Sequence, residues 1–268
     1  MRPPEISLII PTYERPGALD QVLRGVRRQS EMPGEILLAD DGSGSATRKL
    51  AELWRAKLSA PLRHIWQEHL GFRKTIILNK CIAAASGRYI VFLDGDCVPH
   101  DRFVADHATL AEKNYWVQGR RCFVREQFAP DFSPGATPVL PWMLAGRITG
   151  WSKGIRLPLP LVRRNTGQRG IIGCNMGFWR DDLLAVNGFD EEFIGWGGED
   201  SDIGTRLYHL GRPRKFVYGH AVVYHLDHPP LKHGPSEAWR LRLAETIQSR
   251  KIRCERGVNQ YLAGAAPA

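Results

Sequence analysis

Four short clusters hold the residues with the chemistry in this chain. LDGDC at 93–97 places two carboxylates, Asp94 and Asp96, on either side of Gly95. Carboxylates so spaced on a turn can point to one side and share a divalent cation. Oxygen ligands suit Mg²⁺ or Mn²⁺, ions that commonly also take substrate phosphates. The same tripeptide also makes a tight turn, where Asp is favoured for its local hydrogen bonds. GWGGEDSD at 195–202 sets Gly195, Gly197 and Gly198 around Trp196 and follows them with Glu199, Asp200 and Asp202. Acidic residues in a first helical turn commonly act as caps and dipole partners. That role leaves a tryptophan among three glycines unexplained, whereas a flat indole beside carboxylates suits a sugar ring.

YHLDHP at 224–229 puts His225 and His228 three apart, with His220 and His233 nearby. A lone histidine is more often structural than a ligand. The company of a carboxylate metal site makes His225 the candidate third ligand. HLGFRKTIILNK at 69–80 brings Arg73 and Lys74 to the start of a helix. Cationic side chains and helix N-terminal N–H groups both suit a diphosphate, and a solvated basic turn would look the same.

The elements around these clusters read as alternating strands and helices. Residues 6–10 (ISLII) are nearly all apolar, as in a strand buried on both faces. Pro16 then stands where a first helical turn tolerates it, and Leu19, Val22, Leu23 and Val26 repeat at helical spacing. Residues 36–39 (ILLA) and 89–93 (YIVFL) are two more buried strands, and 62–66 is a further one. A helix over 75–86 stops at Gly87, and one over 200–210 stops at Gly211. Strand–helix–strand units of this size predict a largely parallel sheet with helices on both faces, whose ligands bind beyond the carboxyl ends of the strands. The polar clusters at 12–14, 40–41 and 94–96 fall at those ends. Residues 123–170, rich in proline, read as a long irregular insertion, and 237–256 as a basic amphipathic helix.

A chain of 268 residues that is 43% hydrophobic can bury a core without disulfides. Its five cysteines are scattered, with no C-x-x-C, which argues against a disulfide framework and a cysteine zinc site. The opening stretch lacks the charged and apolar regions of a signal peptide, and no apolar run could span a bilayer. The expectation is a cytoplasmic protein. The formal net charge of +9 comes without a nucleic-acid motif, so the partners it suggests are phosphorylated substrates or an anionic membrane surface rather than nucleic acid.

The four clusters, in this order, resemble glycosyltransferase family 2 on the GT-A fold. The segments that carry the resemblance are SLIIPTYERP, LLADDGS, GFRKTIILNKCIAAASGRYIVFLDGDC and GFDEEFIGWGGEDSDIGTRL. The second half resembles the galactosyltransferase-like portion of β-1,4-galactosyltransferases and bacterial chondroitin-type polymerases. The fold implied is α/β, a Rossmann-like GT-A domain over 1–228. It divides into a nucleotide-sugar half (1–122), the insertion (123–170) and an acceptor and catalytic half (171–228), with a basic helical extension over 229–268. The resemblance implies that Pro11, Thr12, Tyr13 and Glu14 line the nucleotide pocket and that Asp41, or its neighbour Asp40, meets the uracil. Arg73 and Lys74 approach the diphosphate or the uracil side, while Asp94, Gly95 and Asp96 form the family's D-x-D, here Asp-Gly-Asp-Cys. Asp200, next to Glu199, would be the general base, His225 the added ligand to Mn²⁺ or Mg²⁺, and Trp196, Gly197, Gly198 and Asn175 the acceptor side. The implied reaction is inverting transfer of a hexose or N-acetylhexosamine from a UDP-sugar to a saccharide or lipid-linked saccharide. The setting would be bacterial surface polysaccharide or lipopolysaccharide synthesis, at the inner face of the membrane. The alternatives are a sugar-1-phosphate nucleotidylyltransferase and a catalytically dead sugar- or membrane-surface-binding protein of the same fold.

Overall fold

The computed structural model describes residues 4–165, 169–229 and 237–262. It opens with β1 (Ile6–Thr12), α1 (Pro16–Arg27), β2 (Glu35–Asp40), α2 (Ser45–Arg55), β3 (Leu62–Trp66), α3 (Lys74–Ala84) and β4 (Tyr89–Leu93). The middle of the chain forms β5 (Cys97–Pro99), α4 (Phe103–Leu110), β6 (Trp116–Gln118), β7 (Arg121–Val124), α5 (Val139–Leu144), β8 (Ile148–Thr149) and β9 (Leu161–Asn165). The last part holds β10 (Asn175–Trp179), α6 (Arg180–Ala185), α7 (Glu199–His209), β11 (Arg214–Tyr218), β12 (Val223–Leu226) and α8 (Glu237–Ser249).

Eight strands form the central sheet in the order β3-β2-β1-β4-β10-β6-β11-β9. The first four run parallel, and β10 and β9 are antiparallel to their neighbours, so the sheet is mixed and mostly parallel. Every residue of β2 and β4 is buried, because helices cover both faces and leave no polar side to the strand. One core gathers Leu8, Ile10, Leu38 and Val91 with Leu19, Leu23 and Trp54 of α1 and α2. The other gathers Ile9, Leu37 and Phe92 with Ile77 of α3 and Ile203 of α7. Alternate residues of each strand thus serve opposite faces.

Register brings the clusters together. Thr12 pairs with Asp40, so the ends of β1 and β2 lie side by side. Asn175 pairs with Leu93, and the Asp94 N–H donates to the Cys174 carbonyl at 3.2 Å. A second, four-stranded sheet runs β5-β12-β7-β8, and its register sets His225 opposite Cys97. Gly95 lies so close to β1 that a Cβ would stand 2.4 Å from the Pro11 carbonyl oxygen.

Two expectations change. The 123–170 stretch is more regular than its prolines suggest, since its strands β8 and β9 each close one edge of a sheet. The basic helix expected over 237–256 ends at Ser249, and Arg250 follows at φ 54°. Arg253 then donates to the Leu184 carbonyl at 2.8 Å, tying the basic stretch back to the body of the protein.

Candidate active site

Lys74, the first residue of α3, projects into a cleft that also takes in Pro11, Asp94, Glu199 and Asp200. Its Nζ lies 3.0 Å from Asp94 Oδ1 and 3.9 Å from Glu199 Oε1. Burial alone would lower the Lys74 pKa, but Asp94, Glu199 and Asp200 outweigh it and raise it, so the ammonium stays charged. The same enclosure pushes up the Glu199 and Asp200 carboxyls, against the pull of Lys74. Asp200 Oδ1 accepts the Ser201 N–H at 2.6 Å. The glycines before α7 all have positive φ (Gly195 at 90°, Gly197 at 106°, Gly198 at 88°), a region that side-chain-bearing residues avoid. A Cβ on Gly198 would also stand 2.7 Å from the Trp239 ring. Those glycines let the chain enter α7 with both carboxylates turned to the cleft.

Asp96 is the centre of a second group. Its carboxylate lies 3.5 Å from His225 Nε2 and 3.4 Å from His228 Nε2, and Arg15 Nη1 donates to it at 2.8 Å. Burial opposes ionisation, yet His228, His225 and Arg15 hold the Asp96 pKa down at about 2. Donor atoms of Asp96, His225 and His228 fall within 4.8 Å of one another, a nitrogen–nitrogen–oxygen set suited to a divalent cation. His225 Nδ1 is buried without a hydrogen-bond partner among the described residues. This set shares Asp96 and His225 with the expected Asp94, Asp96 and His225 and takes in His228, while Asp94 pairs with Lys74. Arg15 and His228 were missed as site residues. The His-x-x-His spacing was a signal for the second, while nothing local tied Arg15 to a carboxylate 81 residues away. His220 lies elsewhere, 3.6 Å from Asp106, and His233 falls outside the described residues.

The remaining expected residues divide into those that face the site and those held inside the fold. Tyr13 is 44% exposed and stacks on His69 with ring centroids 4.2 Å apart, which leaves an aromatic platform beside Asp41. Asp41 accepts from Gln67 Nε2 at 2.6 Å and from the Arg73 N–H at 2.9 Å. Asp40 is fully buried and accepts the Ser43 N–H at 2.8 Å, with His64 Nε2 at 2.7 Å. It locks the end of β2 and has no edge to offer a base. Glu14 is held in the left-handed region at φ 46° and accepts the Gly44 N–H at 2.6 Å, at the start of α2. Trp196 is half exposed on the loop into α7, three residues before Glu199. Asn175 corrects its acceptor assignment. It is fully buried, its Oδ1 lies 2.9 Å from His107 Nε2, and its Nδ2 donates to the Ala221 carbonyl at 2.7 Å. Its amide is used up joining β10 to the loop before β12.

The end of β1, the Asp94 turn and the acidic start of α7 thus face one cleft. The family model described as glycosyl transferase family 2 matches residues 7–184, more than half of the 268-residue chain. The chain belongs to glycosyltransferase family 2. A second model, described as the N-terminal domain of galactosyltransferase, matches residues 157–229. Validoxylamine A glucosyltransferase of Streptomyces hygroscopicus subsp. limoneus is 29% identical over 227 residues, which cover 78% of this chain and 49% of that protein. Chondroitin synthase of Escherichia coli is 27% identical over 251 residues, which cover 87% of this chain and 36% of the synthase. The chain therefore spans half or less of the length of these relatives. The structure of GalNAc-T7 with UDP, GalNAc and Mn²⁺ superposes with a TM-score of 0.65 at 16% identity, covering 93% of this chain and 50% of that one. That likeness establishes the GT-A fold.

Proposed function

We propose that this chain is an inverting, metal-dependent glycosyltransferase that moves a hexose or N-acetylhexosamine from a UDP-sugar to an acceptor hydroxyl, in bacterial surface polysaccharide or lipopolysaccharide synthesis. The observation that carries this reading is the meeting of two groups at one cleft. The Asp96, His225 and His228 set adjoins Asp94, and Lys74 bridges Asp94 to the Glu199–Asp200 pair. The donor half is residues 1–122, the acceptor half 171–228, and the 123–170 insertion flanks the acceptor side. The structure of GalNAc-T7 holds UDP and Mn²⁺, which supports this donor class and metal.

Asp96, His225 and His228 would hold the divalent cation. Bound there, it supplies neutralising charge for the departing nucleoside diphosphate. The chain's own groups do the rest. Tyr13 and Asp41 receive the uracil, one by stacking and the other at the pocket floor that Gln67 and Arg73 shape. Arg15 and Lys74 place positive charge beside the diphosphate. Asp200 accepts the proton of the acceptor hydroxyl as that oxygen attacks the anomeric carbon and the bond to the diphosphate breaks. A single displacement of this kind turns an α-linked donor into a β-glycoside. Trp196 stacks against a sugar ring.

The test is Asp200→Asn measured two ways. Transfer should fall by roughly 10²–10⁴-fold, the span of one general base. Stabilisation of the protein by UDP with Mn²⁺ should persist. Equal loss of nucleotide binding would remove Asp200 from the role.

A further inference from the structure

The insertion carries a surface that the transfer reaction does not use. Leu144 is 83% exposed, Leu140 59% and Trp151 65%. Leu140 and Leu144 are one helical turn apart on α5, on the side away from Trp142 and Met143, which pack toward the core. The turn that carries Trp151 packs against the same helix: a Cβ on Gly154 would stand 2.6 Å from Met143 Cε. The three exposed apolar side chains thus belong to one packed unit.

Positive charge adjoins this unit. Between residues 120 and 164 there are eight basic residues against two acidic ones. Of these, Arg120 lies over Phe216 and Tyr218 of the central sheet, and Arg163 and Arg164 stand on β9. Arg156 and Arg164 are matched by Asp106 and Glu112. Arg125, Arg147 and Lys153 have no ion-pair partner among the described residues, and all three adjoin the patch. The Arg125 N–H donates to the Arg147 carbonyl at 3.0 Å, and Lys153 closes the turn after Trp151. The C-terminal helix, expected from the sequence to be the basic element, is balanced instead. In α8, Arg240 and Arg242 are offset by Glu237 and Glu245, and Arg242 pairs with Glu192.

We propose that this unit of the insertion docks the protein on an anionic lipid surface. Leucine and tryptophan side chains enter the headgroup boundary while Arg125, Arg147 and Lys153 meet the lipid phosphates. Exposed apolar and cationic groups on one unit match a bilayer interface, which offers an apolar boundary and anionic phosphates at once. The position suits the chemistry. The strands β7 and β8 beside the patch share a sheet with β12, which bears His225, so a docked molecule holds its cleft near lipid-linked material. The proposal does not depend on the identity of the donor.

Flotation of the full chain with vesicles tests it. The wild type should float with phosphatidylglycerol-containing vesicles at about 50 mM NaCl, and should be released at about 0.5 M, where charges are screened over a few ångströms. It should stay behind with pure phosphatidylcholine. The L144E/W151S double variant should lose roughly tenfold in bound-to-free ratio with an unchanged melting temperature. Leu241→Glu, a control at an equally bare leucine of α8 (68% exposed), should float like the wild type. The charge variant R125E/K153E gives an independent arm and should lose binding to a similar degree. No flotation of the wild type, equal binding to neutral vesicles, or equal loss in Leu241→Glu would each overturn the proposal.

Discussion

The ammonium of Lys74 lies 3.0 Å from Asp94 Oδ1, at the boundary between the donor turn and the acidic start of α7. A cation there holds three carboxylates together, and without it the fold would place like charges in one poorly solvated cleft. Lys74→Met keeps the length of the side chain and removes the charge. It should cost about 1–3 kcal/mol of stability, because Asp94 loses a charge-assisted hydrogen bond in a partly buried site. Chemical denaturation read at neutral pH checks this value.

The pH dependence of transfer follows from the same enclosure. Burial raises the Asp200 carboxyl above the usual carboxylate range, and Lys74 opposes that rise. The proposed base works only when ionised, so activity should fall as pH drops through this raised value, at a higher pH than an exposed aspartate would show. In Lys74→Met the limb should move further up. The sign for stability is also set: a carboxyl with a raised folded pKa holds its proton more tightly when folded. Its contribution to stability therefore declines as pH rises from the ordinary carboxylate range through the folded value. Asp96 behaves in the opposite sense. Its pKa is held at about 2, so its stabilisation is present above the ordinary range and is lost as pH falls toward that value. A pH–rate profile of wild type beside Lys74→Met tests the first statement.

The metal set separates two neighbouring aspartates. Asp96→Asn, His225→Ala and His228→Ala should each weaken Mn²⁺ binding by more than about tenfold, since each removes a ligand. Asp94→Asn should leave Mn²⁺ binding largely in place, because Asp94 pairs with Lys74 and lies outside the cluster. Titration of Mn²⁺ by electron paramagnetic resonance distinguishes them. Loss of binding in Asp94→Asn, with retention in His228→Ala, would restore the ligand set expected from the sequence.

Much of this site was legible before any coordinates. The largely apolar runs of β1, β2 and β4 announced strands buried on both faces, and the polar residues after them had to share one edge. Gly211 ended α7 as expected, at φ 77°. Other features were hidden for physical reasons. Asp40 and Asp41 are adjacent and alike in sequence, but one turns inward to His64 and the other toward Gln67 and Arg73. Strands as short as Ile148–Thr149 have no periodicity to read, since they exist only through pairing with a distant partner. The link from Arg15 to Asp96 is likewise a product of the fold, made by β1 and β4 running side by side.

Gly95 offers a test of how tightly the donor turn is built. Its Cβ position lies 2.4 Å from the Pro11 oxygen, which is main chain and cannot swing aside. Gly95→Ala must therefore push the Asp94–Asp96 turn away from β1, at a cost of about 1–3 kcal/mol for an overpacked contact. Both carboxylates move with the turn, so Mn²⁺-dependent stabilisation by UDP should fall along with the melting temperature. A variant with full nucleotide response would mean that the turn yields without consequence.

Asn175 gives the last separation, between a residue that touches substrate and one that holds the fold. Its Nδ2 donates to the Ala221 carbonyl and its Oδ1 meets His107, all in the interior. Asn175→Leu would bury those partners unsatisfied, at about 1–3 kcal/mol for each group left without a hydrogen bond. An acceptor-binding residue would behave otherwise: its loss would raise the KM for acceptor and leave the melting temperature alone. The structure predicts the reverse, a melting temperature lowered by several degrees with the acceptor KM of the folded fraction unchanged. Calorimetry beside acceptor kinetics on the same preparation decides between them, because the loop held by Asn175 leads directly into β12 and His225, and slackening it should also reduce Mn²⁺ affinity.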